Sequence, residues 1–173
     1  MYRTIVIDPP WRYGNQGTRN AAEKQYPTMT VAEILKHTPM PADGPAHLYL
    51  WTTNSFIEQA FYLMRQWGFR YKTMLTWVKP QIGMGNYYRN NTEHVLFGVR
   101  GKLLTLRKDV PTAFTASRGR HSEKPDLFYD IVESMSPGPF LELFARRVRL
   151  GWHGAGNEWF NQEALRGVAL RAG

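Results

Sequence analysis

Three β-branched residues, Ile5, Val6 and Ile7, run directly into Asp8, Pro9, Pro10 and Trp11, and this junction limits the fold more than any other stretch of the chain. Such a run favours a short buried strand, whereas paired prolines lack the donors a ladder needs and fix φ, so the strand ends at Asp8. In open α/β sheets ligands bind in the crevice beyond the carboxyl ends of the strands. An acid held rigidly there is a candidate functional group; a solvated turn aspartate is the other reading of the same four residues.

The rest of the pattern alternates. Arg12 to Pro27 is a polar loop too long for a simple connector. Thr30 to Glu33 fits a capping box and predicts a short helix to about Lys36, stopped by Pro39 and Pro41. His47 to Thr52 reads as a second buried strand. Phe56, Ile57, Ala60, Phe61 and Met64 recur at helical spacing ahead of Gly68, which predicts an amphipathic helix from Ser55 to Trp67. Arg70 to Val78 and His94 to Val99 read as an antiparallel strand pair at one sheet edge, joined by a polar loop that carries Tyr87, Tyr88 and Arg89. Leu106 to Glu123 is basic and irregular. Pro125 suits a first helical position, with Leu127, Phe128, Ile131, Val132 and Met135 as the apolar face behind it. Phe140 to Phe144 and Val148 to Trp152 read as two further strands, and Glu163 to Leu170 as a weaker helix. Strands alternating with helices predict an α/β layered sheet, in one domain over the 173 residues.

Composition narrows the chemistry. The chain has no cysteine, which excludes disulfides, thiolate zinc sites and a cysteine nucleophile. Its 5 histidines show no close ligand spacing, so no metal is expected. No stretch approaches the ~18 apolar residues of a membrane span, and the N-terminus is not a signal peptide; a soluble, intracellular protein is expected. Lys and Arg outnumber Asp and Glu by 22 to 14, a net charge of +8 that favours a polyanion, nucleic acid above all. Gly83, Met84, Gly85 lacks the final glycine of a dinucleotide fingerprint and no phosphate loop is present, which disfavours ATP hydrolysis and ordinary NAD chemistry.

The junction at Asp8 suits one task. The lone pair of a nucleobase amine is delocalised into the ring until acceptors hold its hydrogens in pyramidal geometry. The Asp8 carboxylate supplies one acceptor and the Pro9 carbonyl a second, on a turn that proline stiffens. Trp11 offers a face for a base taken out of its stack. Orienting such an amine toward an activated methyl lowers the barrier by up to roughly 7–11 kcal/mol with no covalent nucleophile.

Asp8, Pro9, Pro10, Trp11 resembles the catalytic motif of the MT-A70 family of S-adenosylmethionine-dependent adenine methyltransferases, and other segments match in the family's order. They are Gln25 to Met29, Leu50 and Trp51, Trp77 to Lys79, Glu93 to Val99, His121 to Asp126, Glu142 to Arg146 and Gly156 to Glu158. The resemblance implies a Rossmann-like α/β methyltransferase sheet with helices on both faces, an antiparallel edge, and a permuted order in which the catalytic motif precedes the cofactor-binding strand. It implies catalysis by Asp8, Pro9, Pro10 and Trp11 and substrate binding by Tyr26, Lys79 and Glu93. It implies S-adenosylmethionine binding by His121, Ser122, Lys124, Glu142, Phe144, Arg146, Asn157 and Glu158.

The resulting expectation is transfer of methyl to the amino nitrogen of adenine in DNA, giving N6-methyladenine, in the cytoplasm of a bacterium or a phage-infected cell. RNA adenine methylation, a catalytically silent nucleic-acid-binding subunit and methylation of the cytosine amino group are the alternatives. Local reading leaves bland roles open as well: Lys79 as a solvated strand-end cation, Glu142 in an internal ion pair with Arg146 or Arg147. Relatives often carry a segment upstream of the catalytic strand, here expected to be missing or replaced. They also often carry a target-recognition domain or subunit, so loose specificity or a homodimer is expected.

Overall fold

The computed structural model describes residues 1–12, 28–38, 40, 44–83, 87–119, 123–146 and 149–155. Seven strands form one sheet: β1 (Thr4–Ile7), β2 (Ala46–Thr52), β3 (Arg70–Val78), β4 (Thr92–Arg100), β5 (Ala113–Thr115), β6 (Phe140–Leu143) and β7 (Trp152–Ala155), in the spatial order β5-β3-β4-β2-β1-β6-β7. Among the described residues three α-helices accompany them: α1 (Val31–His37), α2 (Ile57–Gln66, entered through a 3-10 turn over Asn54–Phe56) and α3 (Asp126–Met135). β1 pairs in parallel with both β2 and β6, while β4 runs antiparallel to both β2 and β3.

The unbroken apolar character of β1 and β2 has a direct cause: both faces are covered. Ile5, Ile7, Leu48 and Leu50 pack on one side with Leu63 and Met64 of α2 and Ile34 of α1. Val6, Tyr49 and Trp51, of the other parity, pack with Phe128, Tyr129 and Val132 of α3. The chain turns outward from β1 in both directions, to β2 on one side and to β6 on the other, so the carboxyl ends of β1 and β6 flank a topological switch point.

Local chemistry sets most boundaries. Thr30 and Glu33 form the expected capping box at α1, with Glu33 N donating to Thr30 Oγ1 at 3.3 Å and Thr30 N to Glu33 Oε2 at 2.7 Å. Pro125 is the N-cap of α3 rather than its first helical residue.

Two expectations change, and a third lies outside the described residues. The pair β3 and β4 is not at the edge, because β5 adds in parallel to β3 through Thr76, Trp77 and Val78. A three-residue strand in which only Phe114 is buried carries no periodicity to read. The last strand begins at Trp152, not Val148, because Arg149 is drawn to α3, bonding Asp126 at 3.1 Å, Asp130 at 2.9 Å and Glu133 at 3.0 Å, and Gly151 then turns at φ 82°. The helix expected from Glu163 to Leu170 lies outside the described residues.

Candidate active site

The carboxyl edge of the sheet collects charge. Asp8 follows β1 and is 8% exposed. Its Oδ1 lies 3.2 Å from Lys124 Nζ and its Oδ2 3.8 Å from Arg146 Nε. Lys124 also binds Glu93 Oε2 at 2.9 Å, and the other oxygen of Glu93 takes Lys79. Arg146, Asp8, Lys124, Glu93 and Lys79 thus form one alternating chain of charge across the ends of β6, β1, β4 and β3.

Strand direction explains how the chain assembles. β1, β3 and β6 run the same way, so Asp8, Lys79 and Arg146 follow their carboxyl ends. Glu93 stands at the start of β4, and because β4 alone is reversed, its beginning shares that edge, opposite Trp77. Lys124 arrives just ahead of α3, where a cation opposes the helix dipole; two carboxylates supply the compensation.

Aromatic rings floor the cations. Lys124 Nζ lies 4.7 Å from the Trp51 ring centre and Lys79 Nζ 4.6 Å from that of Trp77, and the two indoles meet edge to face at 6.1 Å. These plates were not singled out as site residues. Their signal is that Trp51 and Trp77 close apolar strands immediately before the polar ends.

The electrostatics follow from this packing. For Lys124, burial works against the charge, but Asp8 and Glu93 outweigh it and hold the ammonium above the ordinary lysine value. Glu93 is likewise penalised by burial, yet Lys124 and Lys79 together pull it down to about 2. Lys79 falls below the ordinary lysine value, because burial, together with Arg118 and Lys124, outweighs its one carboxylate partner.

The proline turn is built as its sequence suggests. Trp11 N donates to Pro9 O at 2.9 Å and Met29 N to Pro10 O at 2.7 Å, so the Pro9 carbonyl retains one lone pair. Trp11 departs from expectation. It is 7% exposed, stacks on Phe56 at 5.1 Å and 12°, and donates from Nε1 to Trp51 O at 3.2 Å. Its ring is a core element that pins the turn to β2, not an open face for a base.

Lys79 is no solvated cation, being 11% exposed and paired with Glu93. Glu142 is 5% exposed and accepts from Tyr129 Oη at 2.6 Å. Its neighbour Arg146 reaches Asp8. Phe144 lies just beyond β6 at φ 62°, a conformation unusual for a bulky residue, and the chain turns there toward Arg146. Tyr26, His121, Ser122, Asn157 and Glu158 lie outside the described residues.

The MT-A70 family model matches residues 2–158. The chain belongs to the MT-A70 family. It is 33% identical to "Type II methyltransferase M.MunI" of Mycoplasma sp., over 91% of this chain and 77% of that protein. It is 30% identical to "Probable N(6)-adenosine-methyltransferase MT-A70-like" of Oryza sativa subsp. japonica, over 98% of this chain and 24% of that one. It is 27% identical to "N(6)-adenosine-methyltransferase catalytic subunit METTL3" of Homo sapiens, over 91% of this chain and 28% of that one. The chain therefore spans about a quarter of the plant and animal relatives' length.

MT-A70 methyltransferases take their methyl group from S-adenosylmethionine. The cations at the switch point fit that molecule: Lys124 and Arg146, beside Asp8, suit its carboxylate. No helix among the described residues is long and apolar enough to cross a membrane.

Proposed function

We propose that this MT-A70 chain methylates the exocyclic amino nitrogen of adenine in DNA, giving N6-methyladenine. The observation that carries the reading is Asp8, a buried carboxylate at the switch point, held between Lys124 and Arg146 on a proline-stiffened turn. S-adenosylmethionine, when bound, supplies a methyl group on a sulfonium. Lys124 and Arg146 would hold its carboxylate, and Glu142 and Phe144 would line its side of the site. Asp8 and the free lone pair of the Pro9 carbonyl accept hydrogen bonds from the two amine hydrogens, which draws the nitrogen lone pair out of the ring and orients it, and the Asp8 carboxylate takes the one proton the nitrogen loses on methylation. Asp8 carries enough acceptor sites to hold the amine while still paired to Lys124. Glu93 and Lys79 are positioning residues, because Glu93 keeps Lys124 charged and in place. Trp11 acts through the turn it pins.

DNA is favoured over RNA by coverage: the type II methyltransferase is matched along 77% of its length, the two N(6)-adenosine-methyltransferases along 24% and 28%. The cytoplasm, where both cofactor and DNA are present, is the proposed setting, with a homodimer to widen target contact. The test incubates the protein with S-adenosylmethionine and separately with duplex DNA, single-stranded DNA and RNA, then identifies modified nucleosides by mass spectrometry. N6-methyladenine in DNA is expected, falling at least a thousandfold in Asp8→Ala while calorimetry still detects cofactor binding. A product on cytosine, on RNA alone, or undiminished transfer by the variant refutes the reading.

A further inference from the structure

Between β3 and β4 the chain puts two aromatic rings into solvent. Tyr87 is 97% exposed and Tyr88 87%, and among the described residues neither has a hydrogen-bond, ring or charge partner. Two adjacent rings that contribute nothing to the core leave their flat faces open to a ligand with flat faces of its own.

The loop is anchored at the charged edge. Lys79 N donates to Asn91 O at 2.7 Å and Gly83 N to Asn90 O at 2.7 Å, while Asn54 Nδ2 reaches Asn90 Oδ1 at 3.3 Å. Lys79 opens the loop and Glu93 follows it, and both belong to the chain of charge that reaches Asp8. The surroundings are basic. Residues 81–92 contain no acid and include Arg89, which is exposed. A Cβ added to Gly83 would meet Arg118 Nη2 at 3.2 Å, so a second guanidinium lies against the loop's base.

Exposed aromatics interleaved with cations suit a polyanion whose bases are free to stack. Bases within a duplex are already stacked on one another, whereas unpaired ones present their faces. We propose that Tyr87 and Tyr88 stack on unpaired bases beside the target adenine of a DNA strand, with Arg89 and Arg118 on its phosphates. The proposal rests on the methyltransferase reading above and adds the form of its substrate, an unpaired strand.

One base–aromatic stack changes affinity by roughly 5- to 150-fold. The test measures fluorescence anisotropy of labelled oligothymidine, its duplex with oligoadenine, and oligouridine, each titrated with the full chain over a range of salt. Wild type is expected to prefer oligothymidine. Tyr87→Ala with Tyr88→Ala is expected to weaken that binding at least tenfold without changing the salt slope. The double phenylalanine variant is expected to retain affinity, and Arg89→Ala to lower the slope. Unchanged binding of oligothymidine by the alanine variant overturns the proposal, as does tyrosine-dependent binding of oligouridine alone. Wild-type self-association that the alanine variant abolishes at unchanged DNA affinity assigns the rings to a second copy and also overturns it. Oligothymidine carries no adenine, so failure of methyl transfer to adenine refutes the activity separately from the strand contact.

Discussion

Glu93→Gln tests the central electrostatic claim, because glutamine keeps the shape of the side chain and removes only its charge. Glu93 links Lys79 to Lys124, and its side chain is 19% exposed. Burial opposes its ionisation, and the two lysines overcome that penalty to hold the carboxyl at about 2, against an ordinary 4.5. At about 1.4 kcal/mol per pH unit this gap corresponds to about 3 kcal/mol of stability. That agrees with the ~3–5 kcal/mol lost when one partner of a buried pair is removed. A chain of this size loses about 2–4 °C per kcal/mol, so the melting temperature should fall by roughly 6–12 °C. The carboxyl is lowered in the folded state, so its contribution is complete above its ordinary value and disappears as pH falls toward 2. Urea unfolding of both proteins between neutral and strongly acid pH measures this directly. A difference below about 1 kcal/mol at pH 7, or one that stays constant down to pH 2, refutes the reasoning.

Other consequences follow from neighbouring contacts. Lys124 is raised in the folded state, so its stabilisation is full below the ordinary value of 10.5 and fades above it; the stability gap between wild type and Lys124→Met should narrow as pH climbs past that point. Tyr129→Phe removes the donor at 2.6 Å from buried Glu142 and should cost about 1–3 kcal/mol in denaturant unfolding; a neutral result would mean the carboxylate finds another donor. Gly98→Ala places a methyl 2.9 Å from Met64 Sδ and 3.2 Å from Phe69 Cβ, an overpacking worth about 1–3 kcal/mol by the same assay.

Hydrophobic parity and turn chemistry were enough to locate most of the fold. The junction at Ile7 and Asp8, the capping box at Thr30 and the helical spacing from Phe56 to Met64 each rest on interactions between residues close in the chain, so each could be read directly. The strand at Phe114 could not, because three residues form a strand only where β3 offers an edge. The start of the last strand was misplaced for a related reason: Arg149 answers three acids on α3 that lie far back in the sequence.

The candidate site divides along the same line. Asp8, Lys79, Glu93, Lys124 and Arg146 were each recognisable as members of motifs at strand or helix ends. That they form one continuous chain of charge depends on the reversed direction of β4, which brings Glu93 to the edge where Lys79 and Lys124 end. Trp11 shows the opposite outcome. Its sequence neighbours suggest an exposed platform, but the Trp51 carbonyl, 40 positions away, and Phe56 draw the ring into the core. Sequence by itself determined which residues carry charge and where strands stop, because those are properties of short segments. Only the tertiary structure decided which charges neutralise one another and which rings remain exposed, because pairing and burial are set by strand order and direction.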